Sequence, residues 1–220
     1  MTQHAGGSSG DPFGGRPPTS HERMTGKPWD ASYTDGPAPW DIDQPQPAIV
    51  RLAAEGAVAG PVLDVGCGTG DNALHLASLG LSVLGVDVAE TALTIARRKA
   101  DDRGLQVEFA TADAYRLDRL GRRFQTVLDS GMFHTCDRDE RPAYVASLAS
   151  VTDPGATLYL LCFSDEGPDT GPHPVSRDDL AAAFAPSTGW RVAAIDPTRV
   201  HTRFHGDEGA PAWLATITRA

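Results

Sequence analysis

The chain has 220 residues and a formal net charge of −10, from 29 acidic and 19 basic side chains. With 40% hydrophobic residues, it can build one medium-sized core without help from disulfides or a structural metal. The acidic balance argues against a nucleic-acid partner, because affinity for phosphate comes largely from clustered Lys and Arg.

The three cysteines have no metal-type spacing, which indicates a reduced compartment and no metal site. No apolar run approaches the roughly 20 residues of a membrane helix, and the N-terminus lacks the apolar stretch of a signal peptide. We therefore expect a cytoplasmic protein without a membrane partner, either a monomer or a homodimer.

The first 47 residues differ in composition from the rest, since they contain 7 Gly and 8 Pro. Such a segment buries little surface and is typical of disordered or irregular chain. We predict a disordered tail over residues 1–24, a lid or cap segment over 25–45, and one α/β domain over 46–220.

Short apolar runs alternate with helix signals from about residue 46. Near-continuous apolar runs of this length suit strands that are covered on both faces. These runs lie at 62–65, 82–86, 107–109, 124–128 and 156–163. The alternation predicts a doubly wound parallel sheet with helices on both faces.

Helix boundaries carry their own signals. Basic residues before Gly104 suit the end of one helix. The pairs Asp137 with Glu140 and Ser176 with Asp179 have the spacing of capping boxes that open two later helices. The final apolar runs, at 190–195 and 213–218, have no clear helix between them. They predict a hairpin that adds one antiparallel strand.

The first strand, VLDV, runs into the Gly-rich turn GCGTG and then into a helix that begins near Asp71. Glycines permit positive φ and let a ligand approach the bare backbone at the carboxyl end of this strand. The spacing is G-x-G-x-G, and Asp71 stands where a dinucleotide motif requires its third Gly. Because an acid there repels a pyrophosphate, the loop favours a ligand that contains adenosine but no phosphates.

Four predicted strands end in an acid at the same edge of the sheet: Asp64, Asp87, Asp113 and Asp129. A carboxylate at Asp87 can accept hydrogen bonds from ribose hydroxyls, and one at Asp113 from an adenine amino group. A single Asp after a strand is more often a turn former or helix cap. The joint pattern with the Gly-rich loop favours ligand binding.

The motif VLDVGCGTG, with Asp87 and Asp113, resembles the class I S-adenosylmethionine-dependent methyltransferases. The segments PWDIDQPQPA at 39–48 and DSGMFH at 129–134 resemble the branch of thiol, halide, thiopurine and heterocyclic toxin methyltransferases. The resemblance covers about residues 38–218. It implies a Rossmann-like seven-stranded sheet whose last strand is antiparallel, with S-adenosyl-L-methionine as cofactor.

The resemblance also implies roles for individual residues. The loop glycines lie near the methionine part, Asp87 near the ribose, and Asp113 with Ala114 near the adenine. Asp64 orients the loop or meets the cofactor's ammonium group, and the indole N–H of Trp40 meets its carboxylate. The full set of predicted cofactor contacts is Trp40, Asp64, Gly66, Cys67, Gly68, Gly70, Asp87, Val88, Asp113, Ala114 and Asp129.

The acceptor side of the site rests on fewer signals. His134 is the candidate general base, and its alternative is a structural histidine that caps or packs. Trp29 and Tyr33 close the site or merely anchor an irregular segment, and Arg199 receives an anionic substrate or is a solvated loop charge. The predicted substrate contacts are Trp29, Tyr33, Phe133, His134, Arg199 and Phe204. His173, His201 and His205 lie in loops that can border the same pocket.

The predicted function is transfer of a methyl group from S-adenosylmethionine to a small molecule. The acceptor is a thiol or an aromatic or heterocyclic hydroxyl of a natural product or xenobiotic, with a slight preference for sulfur. One alternative is an NAD-dependent oxidoreductase, which Asp71 and the absence of a Tyr-x-x-x-Lys pair disfavour. The other is a protein that binds the cofactor without catalysis.

Overall fold

A computed structural model describes residues 13–167 and 172–220. The strands in this part of the chain are β1 Val62–Val65, β2 Val83–Asp87, β3 Glu108–Thr111, β4 Phe124–Ser130, β5 Thr152–Phe163, β6 Trp190–Val200 and β7 Ala210–Arg219. The α-helices are α1 Ser20–Thr25, α2 Pro47–Ala54, α3 Asp71–Ser78, α4 Glu90–Arg103, α5 Arg141–Ser150 and α6 Arg177–Ala183.

The seven strands form one sheet in the order β3-β2-β1-β4-β5-β7-β6. The first five strands are parallel, whereas β7 pairs antiparallel with both β5 and β6. The predicted sheet with an antiparallel last strand is confirmed. The strand order reverses beside β1 and β4, which opens the crevice where open α/β sheets bind their ligands.

The core consists of two apolar layers, one on each face of the sheet. Leu63 of β1 belongs to the layer covered by α5 and α6, whereas Val62 belongs to the layer covered by α2, α3 and α4. Successive side chains of a strand point to opposite faces, so one apolar strand supplies both layers. Helices on both faces are therefore confirmed.

Helix ends follow the predicted signals. Gly104 ends α4 with φ of 64°, and its N–H donates to the carbonyl oxygens of the last turn. Ser176 and Asp179 bond reciprocally to each other's backbone at the start of α6. Ahead of α5, the N–H of Asp137 donates to the carboxylate of Glu140, and the N–H of Glu140 donates to that of Asp137, each at 3.0 Å.

The segment before residue 25 carries structure that its composition did not predict. Thr19 caps α1. The buried carboxylate of Glu22 accepts hydrogen bonds from both terminal nitrogens of Arg16, at 2.5 and 2.6 Å. The prediction of a disordered tail is thus wrong for residues 13–24. This segment has few apolar residues, and the ion pair and the helix cap hold it in place. Residues 1–12 lie outside the described part. Within that part, no helix is long and apolar enough to cross a membrane.

Candidate functional site

A cavity of about 460 Å³ opens at the carboxyl edge of the sheet, beneath the segment that precedes α2. Its size lies within the range of small-molecule sites, roughly 300–1,000 Å³. The predicted residues that line it are Trp29, Tyr33, Trp40, Gly66, Cys67, Gly68, Asp87, Val88, Asp113, Ala114, His134 and Phe204. The predicted residues that are not among its lining are Asp64, Gly70, Asp129, Phe133 and Arg199.

The Gly-rich loop divides into a part that meets the cavity and a part that packs. Gly66 and Gly68 line the cavity with φ of 67° and 54°, values that L side chains rarely adopt. A Cβ on Gly70 would lie 2.8 Å from the ring of Phe109 and 2.9 Å from Cβ of Ala96. Gly70 therefore serves the close approach of helix and sheet, and it is not among the residues that line the cavity.

Asp87 supports the loop and faces the cavity. Its two carboxylate oxygens accept the N–H groups of Gly68 and Ala89, both at 2.9 Å. Burial raises the pKa of Asp87, whereas these N–H donors oppose that shift because they favour the charged form. A carboxylate oxygen has more than one acceptor direction, so Asp87 can hold the loop and still receive ribose hydroxyls.

Asp113 is both a cap of the following turn and a residue of the cavity lining. Its Oδ1 accepts the N–H of Tyr115 at 2.9 Å and so caps the following turn. Together with Ala114 it also lines the cavity, beyond the end of β3. The capping bond thereby holds the Asp113 side chain in a position where it faces the cavity.

Asp64 lies behind the loop and is almost completely buried. Its Oδ2 is buried without a hydrogen-bond partner in the described part of the chain. Burial raises the pKa of Asp64 to about 7, against the opposing effect of the Ala73 N–H. Of the two roles considered, this position fits orientation of the loop.

Asp129, predicted as a cofactor contact, is fully buried and does not line the cavity. The fully buried carboxylate accepts the N–H of Met132 at 2.8 Å, the N–H of Phe133 at 3.2 Å and the hydroxyl of Tyr144 at 2.8 Å. These bonds shape the turn that carries His134 to the cavity.

Two predicted substrate contacts point away from the cavity. Phe133 is fully buried in the core, beneath the guanidinium of Arg141 at 4.9 Å from its ring centre. Arg199 is exposed on β6, whereas its neighbour Val200 is buried and lines the cavity. The alternation of side chains along a strand explains why Arg199 faces outward.

His134 lines the cavity, but its ring is oriented as a donor. The backbone N–H of Phe163 donates to its Nδ1 at 3.3 Å, and the two rings pack with centres 4.4 Å apart. Burial lowers the pKa of His134 to about 3, and nearby His173 adds to the shift. The neutral ring therefore carries its proton on Nε2. This arrangement contradicts the prediction of a general base.

Aromatic side chains form the wall opposite the Gly-rich loop. His21 stacks on Trp29 with ring centres 4.1 Å apart, and Trp40 meets Trp29 edge-on at 5.7 Å. The indole N–H of Trp40 donates to the hydroxyl of Tyr33 at 2.9 Å. It is thus used within the wall, in place of the cofactor carboxylate implied by the resemblance.

Two functional contacts went unpredicted. Gln46 accepts the N–H of His201 and donates to its carbonyl, both at 2.9 Å, which ties the loop before β7 to the start of α2. Asp71, expected to repel a phosphate, is paired with Lys99 at 2.6 Å and Arg103 at 3.3 Å. The only sequence signal for Gln46 is its place within the segment PWDIDQPQPA.

The residues around the cavity fit an adenosine-bearing cation. They combine bare backbone at Gly66 and Gly68, acceptors at Asp87 and Asp113, and aromatic faces that attract a sulfonium. Arg16, a cation that lines the cavity, is paired with Glu22, and Lys99 is paired with Asp71 and Asp43.

Comparisons with known proteins agree with this fit. The family model described as "Methyltransferase domain" matches residues 62–155. The 2-heptyl-1-hydroxyquinolin-4(1H)-one methyltransferase of Mycobacteroides abscessus is 40% identical over 178 residues, which is 78% of each chain. The probable thiol methyltransferase 2 of Arabidopsis thaliana is 26% identical over 172 residues, which is 76% of each chain.

A solved structure shows the same relationship in three dimensions. It comes from work on the conversion of a disulfide bond into a thioacetal group during echinomycin biosynthesis. Its TM-score is 0.74 at 40% identity, and the match covers 82% of this chain and 85% of that chain. These matches do not favour the NAD-dependent alternative. The chain belongs to the class I S-adenosylmethionine-dependent methyltransferases that act on small molecules.

Proposed function

We propose that the acceptor is a planar aromatic or heterocyclic molecule that carries an acidic O–H or S–H group. The observation that carries this proposal is the aromatic wall of the cavity. Flat rings gain from offset or edge-on packing against such side chains, beyond the burial of area alone. This wall consists of His21, Trp29, Tyr33 and Trp40, and the rings of Tyr115 and Phe163 also line the cavity.

Two relatives support this class of acceptor. The Mycobacteroides abscessus relative is a methyltransferase of a heptyl-hydroxyquinolinone, which is a flat bicyclic ring with a hydroxyl group. The Arabidopsis relative is named as a probable thiol methyltransferase and favours sulfur as the second candidate. A thiolate is a strong nucleophile once ionised, whereas a hydroxyl benefits from a base.

The cofactor site would be held by residues already in place. S-adenosylmethionine supplies a methyl group on a sulfonium, which carries its own leaving group. Asp87 with Val88 would hold the ribose, and Asp113 with Ala114 the adenine. Positioning and exclusion of water by the aromatic wall would then supply much of the acceleration.

Residues 25–45 act as the lid of this site in our proposal. Asp30 accepts both the N–H and the hydroxyl of Thr91, at 2.7 and 2.8 Å, and so joins the segment to the start of α4. Asp43 pairs with Lys99 at 2.8 Å at the other end. The segment also buries Tyr33 and Ala38 in a small apolar cluster with Ala89 and Ala92. Because this cluster is small and the polar contacts are partly exposed, the segment can open for exchange and order again when cofactor binds.

A panel of acceptors with labelled S-adenosylmethionine tests the acceptor class. We expect 2-naphthol, 2-naphthalenethiol and 1-hydroxyquinolin-4(1H)-one to be methylated with kcat/KM at least about 100-fold above that of iodide or thiocyanate. The physical reason is that small anions leave the aromatic wall without contacts. Equal rates for the flat molecules and the small anions would overturn the proposal.

A further inference from the structure

We propose that His205 is the catalytic base that takes the proton of a hydroxyl acceptor, while His134 donates a hydrogen bond from Nε2 to that acceptor. This assignment rests on the proposed function. The sequence predicted that His134 alone acts on the acceptor's proton, whereas here His134 donates a hydrogen bond and His205 takes the proton. The assignment also names a catalytic residue in the loop between β6 and β7.

His134 cannot be the base, because the lone pair of its neutral ring is already used. A base needs a free lone pair on a ring nitrogen, and a neutral imidazole has one. In His134 that lone pair, on Nδ1, already accepts the N–H of Phe163. The remaining nitrogen, Nε2, carries the proton and can only donate. Removal of the Nδ1 bond would leave a buried N–H of β5 unpaired, which is costly.

Three other histidines of the described chain line the cavity: His21, His201 and His205. The His21 ring lies flat on Trp29, and burial lowers its pKa. Only the backbone of His201 is held, through Gln46, and no hydrogen bond to its ring is found among the described residues. Neither ring has the orienting partner that a catalytic base needs.

His205 has such a partner. Its Nδ1 lies 2.6 Å from the hydroxyl oxygen of Thr202, a buried residue that also accepts the N–H of Phe204 at 3.2 Å. The hydroxyl can accept Nδ1–H, which leaves the lone pair of Nε2 free. The tautomer that a base requires is therefore compatible with this contact.

Both histidines lie next to one aromatic ring. The ring centre of Phe163 lies 4.4 Å from that of His134 and 5.9 Å from that of His205. An acceptor that packs near this ring is therefore close to both a donor and a proton acceptor. His205 is also partly exposed, so a proton that it takes can pass to solvent.

The step balances without any further reactant. The acceptor's O–H bond breaks, and the proton binds to the Nε2 lone pair of His205. The electron pair left on oxygen forms the bond to the methyl carbon, while the carbon–sulfur bond breaks with its electrons on sulfur. The protonated imidazole then releases its proton to water. A thiol that is already ionised skips the first of these events.

Matched substitutions with a matched acceptor pair test the assignment. For His205→Gln, we expect kcat/KM with 2-naphthol to fall at least about 100-fold. With 2-naphthalenethiol, assayed at a pH where it is ionised, the fall should stay below about 5-fold. Glu208→Gln, in the same loop but outside the cavity lining, should change neither acceptor's value by more than about 5-fold. Similar losses in the two variants, or an unchanged 2-naphthol rate in His205→Gln, would overturn the proposal.

A second readout does not depend on methyl transfer. The absorption of 2-naphthol bound with S-adenosylhomocysteine reports the pH at which it ionises. Removal of the base should raise that pH in His205→Gln but not in Glu208→Gln. If His205→Gln fails to fold, Thr202→Val keeps the imidazole and should still lower the 2-naphthol rate selectively. An unchanged selectivity in that variant counts against the assignment.

Nitrogen-15 spectra of the histidine rings test the role of His134. We expect an unprotonated Nδ1 and a protonated Nε2 between pH 5 and pH 8, and a protonated Nδ1 would refute the donor role. A wild-type protein that methylates none of the flat acceptors refutes the proposed function instead. The two failures are therefore distinguishable.

Discussion

Trp40 donates its indole N–H to the hydroxyl of Tyr33 across 2.9 Å, and that hydroxyl lies 3.1 Å from where a Cβ on Gly68 would be. This bond lies within the segment 25–45, and the Tyr33 hydroxyl it holds lies against the Gly-rich loop. Burial raises the pKa of Tyr33, so the phenol keeps its proton. Because its oxygen accepts from Trp40, its own O–H remains to donate toward the cavity. We infer that Tyr33, more than Trp40, makes the polar contact with the cofactor.

Tyr33→Phe removes this donor and little else. We expect the affinity for S-adenosylhomocysteine, measured by calorimetry, to fall about 5- to 30-fold, the loss of one hydrogen bond worth about 1–2 kcal/mol. Tyr159→Phe is the control, because its hydroxyl donates to the Ala57 carbonyl away from the cavity. Equal losses in the two variants would show that Tyr33 acts through stability alone.

Cofactor binding should protect the lid from protease. Trp40 is partly exposed in the segment, and Leu79 is exposed after α3, away from the cavity. We expect S-adenosylhomocysteine to slow chymotryptic cleavage after Trp40 at least about 5-fold, because bound ligand stabilises the closed segment. Cleavage after Leu79 should not change. Equal rates at Trp40 with and without ligand contradict an ordering lid.

Gly70→Ala should destabilise the protein through a clash. The new Cβ would meet the Phe109 ring and Ala96 at under 3 Å. Gly80→Ala is the matched control, since its φ of 86° is close to the 82° of Gly70 but nothing lies within 4 Å. We expect Gly70→Ala to lower the free energy of unfolding by about 1–3 kcal/mol more than the control does. Urea unfolding measures both, and similar losses would mean that backbone strain dominates.

Asp64 should make stability depend on pH in the ligand-free protein. Its folded pKa of about 7 lies above the ordinary carboxyl value of about 3.9. Between these values the folded chain holds a proton that the unfolded chain has lost. The free energy of unfolding therefore falls as pH rises, by up to about 1.4 kcal/mol per unit from this group.

Asp64→Asn removes that contribution. Relative to wild type, the variant should gain stability as pH rises from about 4 to about 7, and the difference should level off above pH 7. Urea unfolding at half-unit steps of pH measures it. A constant difference across this range would mean that Asp64 titrates alike in the folded and unfolded chains.

Much of the fold follows from local pattern. The apolar runs predicted all seven strands, and the signals at Gly104 and Ser176 predicted one helix end and one helix start. These features are predictable because residues that are close together along the chain determine them. The strand-end acids show where local pattern stops. Asp87 and Asp129 follow similar strands, yet Asp87 lines the cavity and Asp129 is enclosed by Met132, Phe133 and Tyr144.

The sequence by itself determined the parallel sheet, the Gly-rich loop and the kind of cofactor, since these depend on residues close together along the chain. The tertiary structure alone decided which nitrogen of His134 carries the proton. That proton's position depends on the N–H of Phe163, 29 residues away. The tertiary structure also placed His205 beside the ring of Phe163 and buried Glu22 in the N-terminal segment. Contacts between residues distant in sequence set burial and hydrogen-bond partners, and these decide what a histidine or a carboxylate can do.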